Sequence, residues 1–231
     1  MDNHKRIKIQ DLPVTNPNTK FNNLKIKRKT IAEQTVYTIA AAYNKIYDEK
    51  GRGFQDINLA MLAKAAEKRY VTVVESCGCL TGANRILEGV FIKGMHDLPK
   101  DPERSLNVKK FNLANEEDMK LFLTRIRTWC YDPGSGELAK LAARKFDDVV
   151  WYRAFEPYFS TLLPDTSKLS QEYSRIFYFD LVILFKRAFL EWSQTGFNKQ
   201  CKEYFNNRIN GIIGLIQWEV KNSIRNKAFS K

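Results

Sequence analysis

Apolar residues recur at three- and four-residue intervals over most of this chain, the spacing that lines one face of an α-helix. The first clear stripe is Val36, Ile39, Ala40, Tyr43, Ile46 and Tyr47. Thr30 and Glu33 stand before it at capping-box spacing, and Gly51 and Gly53 end it. A second helix is expected over 55–68 with Ile57, Met61, Leu62, Ala65 and Ala66 inward. Tyr70–Val74 is rich in β-branched residues and fits either a strand or a continued helix. Thr81 is placed to cap a helix carrying Ile86, Leu87, Val90 and Phe91, and 94–110, with Gly94, Pro99 and Pro102, reads as a long loop. Asn115 and three acidic residues open the next stripe, Met119, Phe122, Leu123, Ile126, Trp129 and Cys130. Asp132–Gly136 reads as its stop, followed by Leu138, Leu141, Ala142, Phe146, Val149 and Val150. Pro157 and Pro164 punctuate an aromatic stretch, a long helix is expected from about Ser167 to Trp192, and Gly196 precedes a last helical region with Ile209, Ile212, Ile213, Ile216 and Val220 inward.

This pattern predicts an all-α fold of about eight helices in one compact body, residues 30–196, with 132–136 as the candidate boundary between two lobes. Residues 1–29 read as an extended basic arm, because turn formers such as Pro13, Asn16 and Pro17 separate isolated apolar residues. Within the arm, Ile7-Lys8-Ile9 alternates and suits pairing along an edge or in a groove of another subunit. Residues 197–231 read as a basic C-terminal helix and tail. No Asn-Gly hairpin joins alternating strands, and no repeat of fixed period occurs.

Composition narrows the class. At 231 residues with 44% hydrophobic and 13% aromatic content, the chain has the apolar surface that disordered chains lack. The net charge is +12, and its distribution is informative: residues 1–30 carry +6, 198–231 carry +5, and the intervening body is nearly neutral. Two basic ends on a neutral body attract polyanions. No apolar h-region marks a secretory signal, and the most apolar run, Ile176–Phe185, is half the length of a membrane span and contains Asp180. Four cysteines, of which only Cys77 and Cys79 are neighbours, read as free thiols of a reduced, intracellular and cytoplasmic protein, with nuclear entry open through Lys25–Lys29.

Catalytic constellations are missing from the sequence. His4 falls in the arm and His96 in a loop, far from any nucleophile, and no phosphate-cradling glycine loop is present. Asp147 and Asp148 point about 100° apart on a helix and need further partners to hold a metal. The expectation is a protein without enzymatic activity, metal or cofactor.

Two binding readings follow. Residues 57–76 follow the generic helix-turn-helix pattern, with Ala63 at its close-packed position and Lys68, Arg69, Tyr70 and Thr72 facing a groove. Three positions depart from it: Glu67 replaces the usual turn glycine, Lys68 an apolar residue and Ser76 a buried β-branched one. That reading gives a DNA-binding regulator. The other, which the charge map favours, is sequence-independent binding of RNA or single-stranded nucleic acid, in which Lys and Arg hold phosphates and aromatic rings stack on bases. Its candidate contacts are Lys25, Lys27, Arg28 and Lys29 in the arm, Lys120, Arg125, Arg127, Arg144 and Lys145 in the body, and Arg208, Lys221 and Arg225 near the C-terminus. Basic arms on a helical body suit a homo-oligomer assembled through the N-terminal arm around its ligand, an organisation analogous to a viral nucleoprotein or filament coat protein.

Overall fold

The computed structural model describes residues 6–8, 30–51, 54–98, 116–162, 171–198, 203–212, 214, 215 and 218. The fold is all-α, with two three-residue strands beside the helices. The helices are α1 (Glu33–Lys50), α2 (Leu59–Ala65), α3 (Tyr70–Cys77), α4 (Leu80–Asp97), α5 (Glu116–Tyr131), α6 (Pro133–Lys145), α7 (Asp148–Leu162), α8 (Gln171–Gln194) and α9 (203–212). Strand β1 (Arg6–Lys8) pairs antiparallel with β2 (Thr30–Ala32), Ile7 opposite Ile31. Ile7 and Lys8 of the alternating segment are thus paired with their own chain.

The chain divides into two compact units that interleave in sequence. Unit 1 comprises Met1–Gly94 and Asp132–Phe146, and unit 2 comprises Met95–Tyr131 and Asp147–Lys231. One crossing point of the division lies at Asp132.

In unit 1, α1 packs against α2 and α6. Its buried stripe is Val36, Ile39, Ala40, Tyr43 and Ile46, and α6 buries Leu138, Leu141 and Ala142. Phe91 of α4 and Phe146 meet edge to face at 5.6 Å. Three contacts fix the pairing of α1 with α6. Gly134 lies under the Tyr37 ring, so closely that a Cβ there would come within 2.5 Å of it. Asn44 donates to the Glu137 carbonyl at 2.8 Å and carboxylate at 2.7 Å. Asp48 accepts from Lys140 at 2.7 Å and Arg144 at 2.8 Å. These contacts advance together along both helices, so α1 and α6 run parallel.

Unit 2 is built on aromatic packing. Trp151 and Phe155 of α7 stack at 5.8 Å, and Phe155 meets Phe185 of α8 at 4.9 Å. Phe122 of α5 lies 4.9 Å from Tyr158. Trp192 of α8 stacks on Phe205 of α9 at 4.4 Å, which fixes the first turn of α9. Such ring pairs add about 0.5–1.5 kcal/mol each beyond the area they bury.

Several sequence expectations change. Thr30 belongs to β2, and α1 starts at Glu33, so the capping box does not open that helix. The expected 55–68 helix is shorter: Phe54–Asp56 form a 3-10 turn, and Asn58 caps α2 by accepting from the Met61 amide at 3.0 Å. Met61 and Ala65 are only half-buried, and Ala63 joins the expected Leu62 and Ala66 on the inner side. Tyr70–Val74 is helical. Gly94 and His96 lie inside α4, where the His96 Nε2–H donates to the Arg153 carbonyl at 2.8 Å. The 132–136 stretch starts a helix: Asp132 accepts from the Ser135 amide at 2.9 Å, and Pro133 supplies the first turn, where a missing N–H costs nothing. Pro157 sits within α7. The stripe expected across 138–150 breaks at Asp147, whose carboxylate accepts from the Val150 amide at 2.9 Å, while Asp148 pairs with Lys186 at 2.7 Å.

The joint between α3 and α4 is the tightest corner described. Gly78 adopts φ +76°, and a Cβ on Gly82 would stand 2.0 Å from the Cys77 carbonyl oxygen. Gly82→Ala is expected to destabilise the protein by about 1–3 kcal/mol, since backbone must move to admit the methyl. Gly211→Ala, in a helical position with nothing within 4 Å, is expected to stabilise by about 0.5–1 kcal/mol. Urea unfolding of the two variants beside the parent checks both signs.

Candidate nucleic-acid interface

The turn between α2 and α3 in unit 1 takes its shape from local bonds. At the end of α2 the Glu67 amide donates to the Lys64 carbonyl at 3.2 Å and the Lys68 amide to the Ala63 carbonyl at 2.9 Å. This pair of bonds is the Schellman closure, with its left-handed position filled by Glu67 at φ 53°. The first departure from the motif is therefore a departure in residue type only. The second, Lys68, is exposed at the point where the chain turns outward, and the third, Ser76, is half-buried and donates to the Thr72 carbonyl at 2.8 Å. Leu62, Ala63 and Ala66 bury the inner side of α2, and Val73 and Cys77 bury that of α3. Burial and the neighbouring Cys79 push the Cys77 thiol up to about 11. Cys79 is exposed, and its Sγ accepts from the Gly82 amide at 3.4 Å.

The outer surface of the two helices is mixed in character. Lys64, Lys68 and Arg69 are exposed beside Glu67, and no side chain caps α3. Tyr70 and Val71 keep 53% and 63% of their surface in water, with Thr72 and Glu75 exposed beside them. Two large apolar side chains in water next to two cations form a patch unlike an ordinary solvated helix face. Val71 was not singled out in the sequence because the β-branched run hid the helical phase; the Val73–Cys77 spacing of four is the signal that fixes it.

The other candidate residues are distributed differently. Lys25, Lys27, Arg28, Lys29, Lys221 and Arg225 lie outside the described residues. Lys120 is exposed on α5. On the same helix Arg125 donates to the Leu98 carbonyl at 2.7 Å and Arg127 to the Thr124 hydroxyl at 3.0 Å. Arg144 and Lys145 close the last turn of α6 and are engaged within unit 1. The Arg144 side chain is 12% exposed, pairs with Asp48 and lies 5.1 Å over the Tyr47 ring. Lys145 lies over the Tyr43 and Phe54 rings at 5.4 and 5.7 Å. Burial lowers its amine pKa, and Glu88 opposes that shift. Because α1 and α6 run parallel, their negative ends lie side by side, and cations in the last turn of α6 offset that field. Arg208 reaches Glu191 with two nitrogens at 3.1–3.2 Å, and Arg187 adds a third donor at 3.2 Å. The Arg208 hydrogen bonds hold the Glu191 carboxyl below its usual range.

Among the described residues no group of three or more His, Cys, Asp or Glu is arranged to hold a metal ion, and no helix is long and apolar enough to cross a membrane. No family model matches the chain, and comparison with curated proteins and with solved structures gives no match.

The Asp48 site yields a pH test. Burial alone would raise its carboxyl pKa, but the bonds from Lys140 and Arg144 outweigh that and lower it. A carboxyl lowered on folding contributes stability above about pH 4, its unfolded value, and loses it as pH falls through the folded value. With Asp48 45% exposed, solvent screening limits the contribution to about 0.5–1 kcal/mol. Asp48→Asn is expected to lower the unfolding free energy by that amount at pH 7 and to match the parent near pH 2, as read from denaturant midpoints across pH.

Proposed function

We propose that this chain binds RNA or single-stranded nucleic acid without reading base sequence, and that the turn at 66–69 and the outer face of α3 form a contact. The observation that supports it is the exposed run Lys68-Arg69-Tyr70-Val71 at the start of α3. Lys68 and Arg69 supply phosphate contacts, the uncapped amides of α3 add positive potential, and Tyr70 offers a ring for stacking worth about 1–3 kcal/mol per base. The basic ends supply further phosphate contacts, and their field raises the encounter rate.

Two short helices joined by a tight turn also support a second reading, a duplex-binding regulator. The side chains of α3 weigh against it. Base edges in the major groove are read chiefly by Arg or Lys on guanine and Asn or Gln on adenine. The exposed outer face of α3 offers Tyr70, Val71, Thr72 and Glu75, and Glu75 repels phosphate.

Fluorescence anisotropy with a labelled 20-nucleotide single strand and a matching duplex separates the two readings. Tight binding to single strands of unrelated sequence is expected, with a salt slope that flattens by roughly one for each phosphate-contacting cation removed in Lys68→Ala and Arg69→Ala. Tyr70→Ala is expected to weaken single-strand binding about 5- to 150-fold, from the stacking energy above. Preference for one duplex over all single strands would favour the regulator, and absence of salt-dependent binding to either would sink both.

A further inference from the structure

We propose that strand β1 exchanges between copies of this chain, pairing with β2 of a neighbour in the same register that it uses within its own chain. This deepens the reading above, since it states how copies assembled on nucleic acid are joined.

The argument begins with the pairing itself. Arg6, Ile7 and Lys8 lie opposite Ala32, Ile31 and Thr30. The two strands are very different in how they are held. Strand β2 runs directly into α1 with no intervening residue, so the chain itself ties it to the frame of unit 1. Strand β1 is joined to that frame only through residues 9–29, a connection of 21 residues. A two-stranded ribbon of three residues is marginal by itself, so its backbone bonds open readily.

Once open, β2 presents an edge that accepts any copy of β1 equally well. An exchanged strand makes the same contacts as a retained one, so the choice between them depends on concentration and chain entropy alone. Within one chain, pairing must close the 21-residue loop, at an entropic cost that grows with loop length. Between copies held side by side on a polyanion, the local concentration of arms is on the order of millimolar, which offsets the advantage of the tethered strand. The connection has a contour length of roughly 70–75 Å over its 21 residues. It also carries Lys20, Lys25, Lys27, Arg28 and Lys29 against Asp11. The connection is therefore net positive in sequence, as is the arm as a whole. The partner for the edge of β2 is thus residues 6–8 of a second copy.

The test uses full-length Ile7→Cys and Ile31→Cys variants. Directly opposed residues on antiparallel strands bring their Cβ atoms within reach of a disulfide. Under oxidised glutathione, two thiols lose two protons and two electrons to form the bond, and glutathione disulfide is reduced to two thiols. Peptide mapping after cleavage at aspartates reads the link between residues 7 and 31 specifically, apart from the native cysteines. The double variant reports the register. An equal mixture of the two single variants reports exchange, because there the 7–31 link forms only between chains. Exchange predicts the link in the mixture, with a yield that rises about tenfold for tenfold more protein at low extents of reaction, and rises further with poly-uridine. A link in the double variant with none in the mixture overturns exchange. No link in the double variant, repeated at the opposed pair Lys8→Cys and Thr30→Cys in case the first fails to fold, overturns the register and the proposal with it. Anisotropy on the parent runs separately: a link without nucleic-acid binding keeps exchange and removes the earlier reading, and binding without a link does the reverse.

Discussion

The hydrogen bonds from Asn44 to Glu137 hold the point on which unit 1 depends. Asn44 is 1% exposed, and its amide must find acceptors because an unsatisfied buried donor costs about 1–3 kcal/mol. Both acceptors lie on α6, which enters unit 1 only after the chain has left it at Gly94 and returned at Asp132. Apolar burial alone would tolerate α6 sliding along α1, since one aliphatic contact resembles the next. A buried amide with two acceptors fixes the register. The Tyr37 ring over Gly134 and the Asp48 ion pairs then follow at matching positions along both helices.

That register accounts for the fate of the internal cations. Arg144 and Lys145 stand in sequence as a basic pair available to a polyanion. In the fold they lie at the end of a parallel helix pair, where two negative helix termini coincide and three rings of α1 and the 3-10 turn provide faces for them. Arg208 is likewise engaged, by Glu191. Exposed charge without such an engagement is found at the turn between α2 and α3, where Lys68 and Arg69 project beside Tyr70 and Val71. Net charge per segment therefore does not reveal which cations the fold leaves exposed.

The helices were legible where an apolar stripe ran long enough to set its own phase, as in α1, α5 and α8. The failures were local signals with two meanings. Asp132-Pro-Gly reads as a stop, yet the same residues cap and open α6. Pro157 reads as a break, but losing one ladder bond is outweighed where Trp151, Phe155 and Tyr158 are fully buried around it. The Tyr70–Val74 run reads as strand by residue type, and only its buried partners, Val73 and Cys77, reveal a helix. At the candidate interface, Lys68, Arg69, Tyr70 and Thr72 followed from motif spacing. What spacing alone left out was that Glu67 would take the left-handed turn normally given to glycine, at a local cost of about 1–2 kcal/mol.

The interleaving of the units has a consequence for synthesis. A nascent chain that has produced everything up to Gly94 still lacks one wall of its first core, because Leu138, Leu141, Ala142 and Phe146 have not been made. At ordinary elongation rates the missing 52 residues arrive roughly 3–10 s later. Through that interval Val36, Ile39 and Tyr43 have no α6 to cover them, and all of α5 emerges before the first unit can close. The first unit is therefore completed only from the middle of the chain, and until then the part of α1 that α6 covers is open to whatever in the cell recognises unfinished proteins.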